Sequence, residues 1–129
     1  MKYLIPQDIL VIHARVIDVT GGAHGVRDVG LLISATERPK ASFGGHESYS
    51  TAFNKAATYI ESLVRYHVFV DGNKRTSFVS AARFLHLNTY TFEASNAEAE
   101  RFILKVATDR LNIASIAAWL RRHAKKIRK

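Results

Sequence analysis

The sequence predicts an all-α domain of about six helices with at most a small hairpin. Apolar residues recur at helical spacing along most of the chain, and residues typical of helix ends bracket these runs. No segment shows a sustained two-residue alternation. The 129 residues are enough for one core, so we expect a single domain spanning residues 1–129.

The first two helices are predicted from residues at their ends. Pro6 suits the first turn of a helix, where its missing N–H is not needed, and Gly21-Gly22 ends the apolar stripe that follows. Asp28 is a suitable N-cap for a short helix at about residues 29–37. Arg38-Pro39 stops that helix, because a residue before proline is disfavoured in helical geometry.

The middle of the chain predicts a small hairpin and then two long helices. Residues 40–50 contain Gly44-Gly45, which indicates a loop or hairpin. Asp71-Gly72-Asn73 interrupts the helical spacing, which restarts at Phe78 and ends at Leu87-Asn88. The stripe before the interruption consists of Phe53, Ala56, Ala57, Ile60, Leu63 and Val64.

The last third predicts a short extended connection and two more helices. Residues 89–92 are β-prone. Ser95 and Glu98 have the spacing of a capping box, and Asn112 can cap the last helix. We expect residues 121–129 to form a basic helix end or tail.

The net charge of +8 is concentrated in that tail. The last nine residues hold six of the 19 Lys and Arg side chains and no acidic residue. A solvated helix end is the simplest interpretation, since cations there complement the helix dipole, and attraction of an acidic protein partner is the second. A helical nucleic-acid-binding protein is a further alternative, but it would spread its cations and add aromatic stacking surfaces. We therefore expect no specific nucleic-acid partner.

Several classes of protein are excluded by composition. The chain has no cysteine, which excludes disulfides, cysteine–zinc sites and thiol nucleophiles. No apolar run approaches the ~20 residues that span a bilayer, and Pro6-Gln7-Asp8 interrupts any signal-peptide core. The chain contains neither G-x-x-x-x-G-K-[ST] nor H-E-x-x-H. We expect a cytoplasmic protein with no membrane partner.

Residues whose side chains could take part in catalysis lie between the longest predicted amphipathic helix and the helix that follows it. His67 can accept a proton near pH 7, and Asp71 offers a hard oxygen ligand for Mg²⁺. The alternatives are a histidine that caps a helix and an aspartate in an ordinary turn.

The residues after Asp71 suit an anion. Gly72 permits a tight turn at the start of a new helix, whose free N–H groups attract phosphate. Lys74 adds a point charge and Arg75 a planar fork, although both could also lie on a solvated face. A base, a metal ligand and a phosphate site together predict transfer of a phosphate-containing group to a hydroxyl.

The segment His67–Arg75, His-Val-Phe-Val-Asp-Gly-Asn-Lys-Arg, resembles the active-site loop H-P-F-x-[DE]-G-N-G-R of the Fic superfamily. It is closer to the death-on-curing (Doc) branch, in which Lys replaces the last Gly. The resemblance extends over about residues 3–121, with further similar segments at 24–28, 30–32, 38–39, 42–45, 53–56 and 87–90.

This resemblance implies a Fic/Doc helical domain with a small flap hairpin, and it implies roles for individual residues. His67 would be the base, Asp71 the Mg²⁺ ligand, and Phe69 the anchor of the loop. Val68 stands where the family usually has Pro. The resemblance also implies a phosphate-binding turn at Gly72, Asn73, Lys74 and Arg75, and a flap that pairs with a target peptide at Ser42, Phe43, Gly44 and Gly45.

Lys74 implies the reaction of Doc proteins. That reaction transfers the γ-phosphate of ATP to a threonine of elongation factor Tu and so inhibits translation. Gly72, where Doc toxins often have Ala, is instead shared with Fic enzymes that transfer AMP, so an adenylyltransferase is the alternative. A non-catalytic helical binding module is the second alternative, and the presence of His67, Asp71 and Arg75 argues against it.

The sequence also bears on regulation. Many Fic enzymes have an inhibitory helix with the motif [ST]-x-x-x-E-[GN]. The nearest match here is Thr89 to Glu93, but Ala94 follows where Gly or Asn is required. Self-inhibition is therefore not expected, and the resemblance implies inhibition by a separate antitoxin of the Phd type.

Overall fold

The computed structural model describes residues 1–127, which form six helices and four short strands. A 3-10 turn at Arg38–Lys40 follows the second helix. The helices are α1 (Pro6–Thr20), α2 (Val29–Glu37), α3 (Ala52–Arg65), α4 (Asn73–Leu87), α5 (Asn96–Asp109) and α6 (Ile113–Arg122). The strands are β1 (Ser42–Phe43), β2 (His46–Glu47), β3 (Tyr90–Phe92) and β4 (Ala124–Lys126).

The predicted all-α class and the predicted helix starts are confirmed. Asp28 accepts a hydrogen bond from the Leu31 N–H at 3.0 Å, and α2 begins directly after it. Ser95 and Glu98 form the expected capping box of α5. Asn112 caps α6 by accepting from the Ser115 N–H at 2.9 Å. Each cap satisfies a backbone donor that the first helical turn leaves free.

Helix α3 lies at the centre of the core. It packs against α2, α4, α5 and α6, and most of its side chains are buried on every side. Because α3 is surrounded, its C-terminal end is held in a defined place. The loop that leaves α3 at Arg65 therefore starts from a rigid base.

The hairpin expected in residues 40–50 is present as β1 and β2. Phe43 pairs with His46, and Gly44 and Gly45 between them have φ angles of 58° and 80°. Two consecutive positive φ angles match the turn whose twist suits a two-residue hairpin loop, and glycine adopts them without steric cost.

We expected residues 121–129 to form a basic helix end or tail, and this prediction is wrong for residues 124–126, which form strand β4. Helix α6 ends at Arg122, and β4 pairs antiparallel with β3, with Tyr90 opposite Lys126 and Phe92 opposite Ala124. An isolated β3 would leave its backbone groups without partners, and β4 supplies them. Residues 128 and 129 of the predicted tail lie outside the described residues.

Within residues 1–127, none of the helices combines the length and the apolar character that crossing a membrane requires.

Candidate active site

The candidate site is the loop of residues 66–72 between α3 and α4, hereafter the connecting loop. Its two middle residues are buried, and the residues before and after them are exposed. Val68 and Phe69 are buried, with Phe69 only 1% exposed, whereas His67 and Asp71 on either side are exposed. Buried residues thus anchor the loop, and the two residues predicted to do chemistry are open to a substrate. Phe69 occupies the anchoring place that the resemblance implied.

The buried Asn73 side chain clamps this loop. Its Oδ1 accepts a hydrogen bond from the Phe69 N–H at 2.9 Å, and its Nδ2 donates to the Phe69 carbonyl at 2.8 Å. The predicted contact of Asn73 with phosphate stays a prediction. Because the amide already holds Phe69, its backbone N–H at the start of α4 is the better placed group for that contact.

A second segment, residues 22–28, supports the connecting loop from outside. The Arg27 N–H donates to the Val68 carbonyl at 2.8 Å, and the Val70 N–H donates to the Gly25 carbonyl at 3.1 Å. The Arg27 guanidinium also donates to the carbonyl oxygens of His67, at 2.6 Å, and Tyr66. Arg27 thus fixes the backbone of the proposed base. Local sequence gave no indication of this role, because the two segments are about 40 residues apart.

Helix α1 contributes a histidine, His13, that the sequence analysis did not identify as a candidate site residue. The His13 ring is 4% exposed and stacks on Phe69, with centroids 3.8 Å apart and planes 7° apart. Its Nε2 lies 2.8 Å from the carbonyl oxygen of Asp71. A carbonyl oxygen only accepts, so this nitrogen is the one that carries the proton. His13 therefore holds both the anchor of the loop and the backbone of the predicted metal ligand.

Both the backbone conformation at position 72 and the atoms packed against it require glycine there. Its φ angle is 78°, and a Cβ at this position would lie 3.0 Å from Cδ1 of Ile17. A larger residue would strain the backbone and push against α1. The first α4 residue whose N–H bonds back to Gly72 is Thr76. The earlier N–H groups of α4 are those that a helix leaves without intrahelical partners, as an anion site needs.

A cavity of about 620 Å³ opens over this turn. Its volume falls within the range of small-molecule sites. The structure brings the six predicted chemical residues together in its lining: His67, Asp71, Gly72, Asn73, Lys74 and Arg75. The flap residues 42–45 do not line it. The flap instead projects Phe43, which is 87% exposed, and its role in binding a peptide stays a prediction.

Cations dominate the polar lining of this cavity. Lys74 is exposed and, within the described chain, forms no ion pair. Arg75 pairs with Glu100 of α5 at 2.6 Å, but both side chains are well exposed, and such pairs contribute only about 0–1 kcal/mol. Arg65 and Arg110 also line the cavity. Arg110, which sequence analysis missed, ends α5 with a φ angle of 50°.

The Asp71 carboxylate is exposed at the cavity and is oriented by one backbone hydrogen bond. Its Oδ2 accepts from the Ala23 N–H at 2.8 Å, which orients the carboxylate. No cluster of three or more His, Asp or Glu side chains suited to a metal occurs in residues 1–127. A single oriented carboxylate fits the way in which Mg²⁺ is commonly bound with a nucleotide, through one or two carboxylates and the substrate phosphates, and the role of Asp71 as a metal ligand stays a prediction.

The flap is tied to the core through a buried lysine. The Lys55 ammonium donates to Glu47 of β2 at 2.9 Å and to the Pro39 carbonyl at 3.0 Å. Burial of Lys55 disfavours its charge and is the largest single effect, but the interactions with Glu47 and Tyr3 together outweigh it, and the pKa of Lys55 is raised. The ion pair therefore holds β2 against α3 throughout the physiological pH range.

The helical domain and the loop from His67 to Arg75 at the start of α4 define a class of protein, and comparison with known proteins agrees. The profile of the Fic/DOC family matches residues 3–85, and the chain belongs to this family, within its Doc toxin branch. It is 40% identical to "Toxin Doc" of Mycolicibacterium smegmatis over 121 residues, which cover 92% of this chain and 91% of that protein. It is 31% identical to "Protein kinase doc" of Escherichia phage P1, over 95% of each chain.

The stacking and hydrogen bonding of His13 predict a measurable loss of stability. His13→Phe keeps an aromatic ring beside Phe69 but removes the donor to the Asp71 carbonyl. We expect the free energy of unfolding to fall by about 0.5–1.5 kcal/mol, the usual net contribution of one hydrogen bond, because the bond is only partly buried. Urea unfolding followed by circular dichroism measures it.

The exposed His24 provides the control. His24→Phe is expected to change the free energy of unfolding by less than about 0.5 kcal/mol. A His13→Phe protein as stable as the wild type would show that the hydrogen bond to Asp71 contributes nothing.

Proposed function

We propose that this protein is the toxin of a toxin–antitoxin system and that it transfers the γ-phosphate of ATP to a hydroxyl group of a protein. One observation supports this above the others. A candidate base, a candidate metal ligand and a cationic helix start with Lys74 in its first turn line one cavity. The relative from phage P1 that is named a protein kinase adds to that support.

The proposed step conserves atoms and charge. The target hydroxyl oxygen forms a bond to the γ-phosphorus, and the bond from that phosphorus to the β,γ-bridging oxygen breaks. ADP leaves, and the hydroxyl proton passes to the neutral imidazole of His67. The His67 ring suits this role because it is exposed at the cavity and forms no side-chain hydrogen bond within the described chain.

Charge on the transferring phosphoryl group is stabilised by fixed groups of this chain. The free N–H groups at the start of α4 point along the helix axis, and Lys74 and Arg75 add positive charge. Asp71 would hold Mg²⁺, which supplies charge neutralisation of the phosphates when bound. The Arg27 and His13 contacts keep His67 and Asp71 in position while the substrate binds.

The proposed target is a threonine of elongation factor Tu, whose modification would inhibit translation in the cytoplasm. Strands β1 and β2 form a two-stranded hairpin with exposed Phe43 at its turn. Such a hairpin can bind an extended peptide by adding a strand. We propose a separate antitoxin of the Phd type as the inhibitor.

AMP transfer is the alternative reaction, and Gly72 is the residue that suggests it. The φ angle of 78° and the closeness of Ile17 account for glycine here without reference to the reaction. The presence of Gly72 is therefore only weak support for AMP transfer. The Lys74 side chain occupies space beside the turn, which disfavours a close approach of the nucleotide phosphates to the backbone. These considerations favour phosphate transfer.

The deciding experiment uses purified protein, Mg²⁺ and purified elongation factor Tu, with a bacterial lysate in parallel. ATP carries the label in either the α- or the γ-phosphate. We expect the γ-label alone to enter protein. Incorporation of the α-label would identify an adenylyltransferase, and labelling of a different protein in the lysate would overturn the proposed target.

His67→Ala is expected to lower the rate of transfer by about 10²–10⁴-fold, the usual effect of removing a general base. The exposed side chain lies outside the core, so the unfolding midpoint is expected to stay unchanged. Single-turnover labelling measures the rate. His86→Ala, at an exposed histidine near the end of α4, is the control. Transfer by His67→Ala at the wild-type rate would remove His67 from the mechanism.

Asp71→Asn is expected to shift the Mg²⁺ dependence of transfer to higher concentration, because a neutral amide is a poorer ligand for a hard cation. Activity is measured against Mg²⁺ at fixed ATP, with Asp18→Asn as the control at an exposed aspartate of α1. An unchanged curve would mean that the metal is held by ATP alone or elsewhere.

Lys74→Gly is expected to lower phosphate transfer and to allow some AMP transfer, because the phosphates can then approach the backbone at the start of α4. Lys74→Met, which keeps length and removes charge, separates the two effects of the lysine. Mass spectrometry of the modified target distinguishes phosphate from AMP. If the wild type already adds AMP, the argument from Lys74 is wrong.

A further inference from the structure

Strand β4 is paired on one side only. Its partner is β3, and within residues 1–127 no strand pairs with its other side, hereafter the open edge. At one end of this two-stranded ribbon the Glu93 N–H donates to the His123 carbonyl at 2.7 Å. At the other end the Ile127 N–H donates to the Thr89 carbonyl at 2.8 Å. The ribbon is therefore bonded along its whole length, and only its outer side remains to be paired.

The register of the ribbon shows which backbone groups point outward. In an antiparallel pair, residues alternate between those that bond to the partner strand and those whose N–H and C=O point away from it. His123 and Ile127 bond to the strand opposite, so Lys125, two residues from each, faces that strand as well. Ala124 and Lys126 therefore direct their N–H and C=O groups out from the open edge. These groups can pair with one further strand.

Aromatic packing holds the ribbon against the helices, so the open edge is preformed. Trp119 of α6 stacks on the His123 ring just before β4, with centroids 3.9 Å apart. The Phe92 ring of β3 lies 6.3 Å from the same indole and 5.4 Å from the Phe78 ring of α4. An incoming strand would therefore meet a surface that needs little reordering, which lowers the cost of binding.

Cations surround the open edge. Lys125 and Lys126 are exposed, and successive side chains of a strand point to opposite faces, so each face of the edge carries one ammonium group. Arg121 and Arg122, at the end of α6, are also exposed. Within residues 1–127 none of these four side chains forms an ion pair. Acidic side chains on both faces of an added strand would therefore meet an opposite charge.

We propose that the open edge binds an extended acidic segment of another protein, which adds to β4 as a third strand. The outward N–H and C=O groups pair with the backbone of that segment, and its carboxylates contact Lys125 and Lys126. The net charge of +8 favours the approach of such a partner. This site is separate from the cavity over the start of α4, since none of residues 121–127 lines that cavity. The proposal is independent of the reaction proposed above.

Two other occupants fit the open edge less well. Pairing β4 with β4 of a second copy of the chain would bring the lysines of both strands together, and like charges opposite one another destabilise a sheet. Lysines on an edge strand are a common protection against such self-association. A nucleic acid would meet the cations through phosphate oxygens, which only accept hydrogen bonds and cannot pair with the outward C=O groups.

The test uses the full chain and three end-blocked peptides that carry a fluorophore. The first peptide is Val-Thr-Glu-Glu-Val-Thr, in which β-branched residues favour a strand and adjacent acids match the two faces. The second replaces both Glu by Lys. The third repeats the first with N-methyl groups on its central amides, which removes the donors that strand pairing needs. Fluorescence anisotropy measures the dissociation constants, with a labelled DNA duplex in parallel.

Two variants at one position separate charge from backbone pairing. Lys126→Gln removes the cation, whereas Lys126→Pro removes the cation and the outward N–H but no N–H that faces β3. Lys105→Gln, at an exposed lysine of α5, is the charge control. Thermal unfolding shows whether each variant is folded.

We expect the wild type to bind the acidic peptide at least about tenfold more tightly than the basic and the methylated peptides. Lys126→Gln is expected to weaken that binding by about two- to fivefold, the scale of one cross-strand charge pair. Lys126→Pro is expected to weaken it by about a further threefold or more, the scale of one hydrogen bond. Lys105→Gln is expected to stay within about twofold of the wild type.

Equal affinity for the acidic and the methylated peptide would overturn strand addition, as would equal affinity of Lys126→Gln and Lys126→Pro for the acidic peptide. No binding of the acidic peptide at about 1 mM would overturn the site altogether. If Lys126→Pro fails to fold, the comparison of the two peptides on the wild type still decides.

The remaining outcomes identify the other occupants and overturn the proposal. Binding of the duplex more tightly than the acidic peptide, with no difference between Lys126→Gln and Lys126→Pro, would assign the open edge to a nucleic acid. Sedimentation covers the second copy of the chain. A wild-type dimer that Lys126→Pro dissociates would assign the edge to self-association.

Discussion

Reciprocal hydrogen bonds join the Asn73 amide to both backbone groups of Phe69, and the rest of the site depends on them. They fasten the connecting loop to the first turn of α4, so the loop and the start of that helix form one unit. The His13 ring covers the other face of Phe69 at 3.8 Å. With its anchor buried between α1 and α4, the loop can present His67 and Asp71 to solvent without losing its shape.

The candidate site is held in shape mainly by hydrogen bonds to its backbone, and less by contacts between the His67 and Asp71 side chains. Arg27 donates to the carbonyl of His67, His13 donates to the carbonyl of Asp71, and neither touches the imidazole or carboxylate itself. The His67 imidazole and the Oδ1 atom of Asp71 therefore stay available to a ligand, while Oδ2 of Asp71 accepts from the Ala23 N–H. Such support reduces the reorganisation needed when a substrate binds, which is how a preorganised site lowers a barrier.

A second cavity lies between α4 and α5 and shares Lys74 and Arg75 with the cavity over the helix start. Cations dominate the polar lining at the helix start, while apolar side chains line the cavity between α4 and α5. Arg75 lies where the two cavities meet and pairs with Glu100, and an exposed ion pair of this kind is weak enough to rearrange. Helix α4 thus contributes to both cavities and to the core.

Sequence by itself determined the helices, their caps and the composition of the candidate site, because these depend on neighbouring residues. Asp28, the Ser95–Glu98 pair and Asn112 act within one turn, and the loop from His67 to Arg75 is continuous in the chain. Tertiary structure alone decided which distant groups support that loop. His13 lies 58 residues from Asp71, and β4 reaches β3 across more than thirty. Helical spacing in the sequence shows only that one face of a helix is buried. Which distant residues that face contacts depends on side-chain packing and on the need to pair every buried backbone donor and acceptor.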